Sequence, residues 1–131
     1  MNTLISIFIV LFIHWIADFV VQTTWQAQNK SKNIAALTYH VVSYTTVWAI
    51  VYGILCLLWG FGSLEYSPVS DLTLWWFFPI TFAAHWITDY FTSKLTTKLY
   101  LTGDYHNFFV VIGFDQILHY VQLFLTLHFL T

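Results

Sequence analysis

Four apolar runs, each about as long as a helix that crosses a bilayer, leave this chain few folds to choose from. A hydrocarbon core of about 30 Å takes roughly 20 apolar residues per helix. The runs Thr3 to Gln22, Ile34 to Trp59, Leu72 to Phe91 and Asn107 to Leu130 meet that requirement. Polar punctuation separates them: Gln26 to Asn33, then Gly60 to Pro68 with two glycines and a proline, then Gly103-Asp104. The expected fold class is therefore all-α, a polytopic membrane protein with four transmembrane helices in one compact bundle and no room for a soluble domain. Composition agrees, because only 8% of the 131 residues are charged where a soluble domain carries about a quarter.

Charge excludes several partners. Four lysines, no arginine and six acids give a formal charge of -2, so no basic surface is available for nucleic acid and no polybasic segment for anionic headgroups. The lone Cys56 rules out an intramolecular disulfide and any CxxC motif. The first lysine is Lys30, and no small-residue cleavage pattern follows the first run, so that run is expected to stay as a helix rather than be removed as a signal peptide. Lys30 and Lys32 follow run one, Lys94 and Lys98 follow run three, and only Glu65 and Asp71 follow run two. The positive-inside rule then puts both lysine-bearing loops in the cytoplasm and both termini outside. Trp25, Trp59, Trp75 and Trp76 fall at run ends, where an indole suits the headgroup level, whereas Trp15 and Trp86 read as lipid-facing. Pro79 is expected to kink run three, and Gly113 to let run four approach a neighbour.

Three aspartates lie within these runs, each costing about 2.5 to 3.5 kcal/mol at a helix centre. Each has a histidine four residues away: His14 with Asp18, His85 with Asp89, and Asp115 with His119. That spacing puts both members of a pair on one helix face. Runs one and three go inward with histidine first, and run four goes outward with aspartate first, so reversed direction and reversed order cancel. His14, His85 and His119 should share one layer, and Asp18, Asp89 and Asp115 a second about 6 Å nearer the cytoplasm. His40 reaches a similar depth. HWIADF at 14–19 and HWITDY at 85–90 match at four of six positions, so the bundle is expected to be built from two related helical hairpins, with His40 corresponding to Asp115 and Tyr44 to His119.

Imidazole and carboxylate are ligands for zinc, manganese and iron, and two of them at i,i+4 can serve one ion. The metal-ligand candidates are therefore His14, Asp18, His40, His85, Asp89, Asp115 and His119. They exceed what one tetrahedral ion uses, which implies a dinuclear centre or one ion with the surplus groups orienting its ligands. The alternative is three local His-Asp hydrogen bonds with no metal; three pairs in register plus His40 favour the metal. Gln22 and Gln116 lie beside the cluster, as substrate-binding residues or as bridges between helices. His106 and His128 fall outside it.

His14-x3-Asp18-Phe19-x2-Gln22, His85-x3-Asp89 and Gly113-x-Asp115-Gln116-x2-His119 resemble the motifs of a bacterial and phage membrane family catalogued as domain of unknown function 3307. The resemblance covers the whole chain and implies a bacterial inner-membrane protein, but that family brings no established activity. A looser similarity, to small inner-membrane proteins described as metal-dependent hydrolases, implies hydrolysis by analogy. The leading expectation is a hydrolase with zinc first and manganese or iron next, acting on an amphiphilic or lipid-linked ester or phosphoester from the cytoplasmic side, as monomer or homo-oligomer. The rivals are a proton or divalent-metal transporter, a haem-binding bundle and a non-enzymatic membrane regulator.

Overall fold

The computed structural model describes residues 3–60 and 74–130, and all regular structure among them is helical. Helix α1 (Thr3–Trp15) widens into a π-helical turn over Ile16–Val20, closed by the Val21 amide donating to the Ile16 carbonyl at 3.0 Å. Buried Asp18 sits at the middle of this turn. Such one-turn insertions re-aim side chains and recur at functional sites.

The polar segment after the first run, expected to be a plain break, contains a short helix, α2 (Thr24–Asn29). Its start is a capping box: the Gln26 amide donates to the Thr23 hydroxyl at 3.2 Å, and the Thr23 amide donates to Gln26 Oε1 at 2.8 Å. Asn33 caps α3 (Ile34–Gly60), accepting from the Ala35 amide at 2.8 Å. A 3-10 turn at Leu74–Trp76 leads into α4 (Phe77–Leu101).

Helices α4 and α5 (Tyr105–Leu130) are joined by a tight hairpin. Gly103 takes φ +74°, and the Gly103 and Asp104 amides return to the Tyr100 and Leu99 carbonyls at 3.1 and 3.0 Å, closing α4 as a Schellman motif. Asp104 then caps α5 through the Asn107 amide at 3.2 Å and the Asn107 side chain at 2.7 Å, and these bonds hold its carboxyl below the usual range. Among the described residues this hairpin makes the most extensive helix contact; α3 packs on α4 and on the π turn, and α2 packs on α3.

Two expectations are corrected. The third apolar helix begins at Phe77 and runs to Leu101, beyond the expected end at Phe91, so Pro79 lies in its first turn, where the missing N–H costs nothing, and produces no mid-helix kink. Gly113 is exposed, and a Cβ there would meet nothing within 4 Å, so it mediates no close helix approach. The expected start of run three at Leu72, the connection carrying Glu65 and Asp71, and the side chain of Trp59 lie outside the described residues.

Among the described residues the interior mixes polar groups with a small apolar core around Tyr44, Trp48, Phe77 and Leu123, while many large apolar side chains are exposed. The buried face of α4 is Phe77, Thr81, His85, Asp89 and Ser93, one residue per turn. Leu4, Phe8, Phe12, Leu57, Phe91, Phe109 and Phe129 are all more than half exposed. Two helices are long and apolar enough to cross a membrane, Ile34–Leu58 at mean hydropathy 2.0 and Tyr105–Leu130 at 1.6, and Leu4–Val20 is a shorter apolar helix. Lys32, Lys94 and Lys98 line one shallow cleft and Lys30 and Lys32 another beside it, so all four lysines gather at one end of the bundle.

Candidate metal centre

All seven candidate residues come together, six of them buried and Asp115 half-buried at the edge of a cleft. The ring centroids of His14 and His119 lie 5.5 Å apart, and His85 stacks on His119 at 4.1 Å. Tyr44 completes this layer: its hydroxyl lies 2.9 Å from His14 Nδ1, and its ring stacks on His85 at 3.9 Å. The four rings form a closed circuit of contacts in which the positions paired by the sequence repeat, His14 with His85 and Tyr44 with His119, lie opposite one another. A 4.1 Å stack leaves no gap for a porphyrin between His85 and His119.

Below the rings, His40 Nε2 lies 3.1 Å from Asp18 Oδ1 and 3.2 Å from Asp89 Oδ2, and 3.2 Å from His85 Nε2. His85 Nε2 is 3.6 Å from the same Asp18 oxygen and 3.7 Å from the same Asp89 oxygen. Four atoms from three helical segments, the π turn, α3 and α4, thus define a small tetrahedron with five edges between 3.1 and 3.7 Å. A tetrahedral ion with bonds of about 2.0 to 2.1 Å needs edges of about 3.3 Å. Among the described residues the Nδ1 atoms of His40 and His85 are buried without a hydrogen-bond partner, so both rings spend their polar capacity on this point. Asp18, His40, His85 and Asp89, all buried, fit a divalent ion.

His119 and Asp115 lie alongside. His119 Nε2 is 3.3 Å from Asp89 Oδ1 and 3.5 Å from Asp115 Oδ1, and the Thr92 hydroxyl donates to Asp115 at 2.6 Å. Gln116 ties the centre together: its amide donates to Asp18 Oδ2 at 3.2 Å and Asp115 Oδ2 at 3.1 Å, while its Oε1 lies 2.9 Å from His14 Nε2. His14 is thereby engaged on both nitrogens and stands beside the tetrahedron rather than in it. Gln22 donates to the Asp18 carbonyl at 2.7 Å, bracing the π turn. His106 and His128 are exposed and remote, as expected.

Lys30 is the residue that sequence reasoning missed, reading it only as a topology marker. Its Nζ lies 2.8 Å from Asp89 Oδ2. Burial of the amine disfavours its charge, but the Asp89 carboxylate, with Asp18 behind it, outweighs that and holds the ammonium above the ordinary lysine range. No local signal marks Lys30; the fold of α2 and its flanking turns carries it in.

A cleft of about 640 Å³ opens from this centre between the π turn, α2, α4 and α5. Asp18, Gln22, Lys30, Lys32, Asp89, Asp115 and Gln116 supply its polar lining, and Phe19, Tyr100, Phe108 and Ile112 part of its apolar one. No family model, curated protein or solved structure matches the chain.

Proposed function

We propose that this chain is a membrane protein of four spanning helices from two related hairpins, lysine-bearing end in the cytoplasm, and that it is a metal-dependent hydrolase of an amphiphilic ester or phosphoester. The observation that carries this reading is the Asp18, His40, His85, Asp89 tetrahedron, whose edges suit one divalent ion, at the floor of a cleft with both charged and aromatic walls. Zinc is the first candidate from two nitrogens and two carboxylate oxygens, with manganese and iron next. Such an ion supplies Lewis acidity when bound.

The chain's own residues do the rest. Lys30 and Lys32 line the cleft beside the carboxylates, where an ammonium binds an anionic oxygen of the substrate. Phe19, Tyr100, Phe108 and Ile112 give an acyl chain an apolar wall. Gln116 fixes the rotamers of Asp18 and Asp115.

Elemental analysis of the full chain in mild detergent, followed by mass-spectrometric assay of a panel of lipid esters and phosphoesters in vesicles, tests the reading. Bound divalent metal, and turnover lost in His40→Ala and with chelator, is expected. Absence of metal overturns the centre, and metal without turnover overturns the hydrolase.

One observation favours transport as a second reading. Gln122 donates to Thr81 and to Thr126 at 3.2 Å, extending polar contacts from the histidine layer away from the lysine end. Fully buried Leu123 lies on the same face and interrupts them. Metal or proton flux in proteoliposomes separates the two.

A further inference from the structure

We propose that the centre holds two divalent ions, the second between Asp18, Asp89, Asp115 and His119, with the Asp18 and Asp89 carboxylates bridging; this rests on the metal reading above. Each bridging carboxylate already divides its oxygens. Asp18 Oδ1 faces His40 and His85 at 3.1 and 3.6 Å, while Oδ2 lies 3.6 Å from His14 Nε2 and accepts at 3.2 Å from the Gln116 amide, which also donates to Asp115 Oδ2. Asp89 Oδ2 faces His40 and His85 at 3.2 and 3.7 Å, and Oδ1 faces His119 at 3.3 Å. His119 Nε2 also meets Asp115 Oδ1 at 3.5 Å, and its Nδ1 is buried with no partner among the described residues, so this imidazole is committed to the second point as His40 and His85 are to the first. Asp18, Asp115 and His119 offer ligand atoms within 4.8 Å of one another. Carboxylate-bridged pairs of ions stand about 3.5 to 4 Å apart, a span that one side chain bridges.

The two points differ in strength. The first is drawn from four buried residues, whereas Asp115 is 14% exposed and borders the cleft. Charge acts in the same direction. With the imidazoles neutral, as ligands must be, three carboxylates are balanced by Lys30 and one divalent ion, and a second ion makes the centre positive. The second ion is therefore the looser one, faces the cleft, and draws an anionic substrate group, which selects a phosphoester over a carboxylic ester.

Manganese titration of the metal-stripped full chain in nanodiscs tests this, read by electron paramagnetic resonance and elemental analysis. Two classes of site are expected, the second at least tenfold weaker, with the six-line signal of the first ion lost to spin coupling as the second fills. In Asp115→Asn the first ion should bind as before and its six-line signal persist at saturation. A single equivalent in the wild type, or two without coupling, overturns the bridged pair and leaves the first site standing; no binding at all overturns the metal reading itself.

Discussion

Replacing Lys30 by methionine should tighten metal binding. The Lys30 ammonium sits 2.8 Å from Asp89 Oδ2, the oxygen that His40 and His85 also face. In the metal-free protein it is a cation paired with the buried Asp89 carboxylate, with Asp18 behind it. Removing one partner of a buried pair costs about 3 to 5 kcal/mol. Lys30 keeps 19% side-chain exposure, which puts the cost at the lower end. A bound divalent ion supplies the missing charge, so most of that cost falls on the metal-free state alone. At about 1.4 kcal/mol per tenfold, affinity should rise by up to roughly 100-fold. Competition with a chromogenic zinc chelator in nanodiscs measures it, with Lys32→Met controlling for net charge. Unchanged or weaker binding in Lys30→Met would refute the idea that lysine and metal share these carboxylates. The sign with pH follows from the raised lysine value. The pair's contribution is complete below pH 10.5 and is lost only as pH climbs through the higher folded-state value.

Other outcomes follow from single contacts. His14→Ala should retain the tightly held metal, because both His14 nitrogens are engaged by Tyr44 and Gln116, and elemental analysis would expose a direct ligand role if that metal were lost. Gln116→Leu frees Asp18 and Asp115 and should weaken metal binding about 10- to 100-fold in the same chelator competition. Gly103→Ala places a side chain at φ +74° in open space, so its cost is backbone alone, about 1 kcal/mol, measurable as reduced resistance to denaturant. The Asp104 cap holds above pH 3.8 and should fail only as pH falls through its lower folded-state value, seen as earlier amide exchange in the first turn of α5.

What the sequence determined by itself was periodicity and cost. Helical spacing puts His14 and Asp18, His85 and Asp89, and Asp115 and His119 on common faces, and an apolar surround makes such groups too costly to leave apart, so their convergence was legible before any coordinates. The start of α2 at Thr23 was not legible in this way, because the polar segment around Gln26 reads as a plain break. Tertiary structure decided everything that depends on a rotation or a return of the chain. The π turn at Ile16–Val20 has no sequence signature and sets the direction of Asp18. Only packing showed that Tyr44 stacks on His85, that Gln116 holds His14 away from the tetrahedron, and that Lys30 folds back onto Asp89. Spacing along a helix fixes which residues share a face, but the partner across the gap is chosen by how neighbouring helices turn and how the connections between them close.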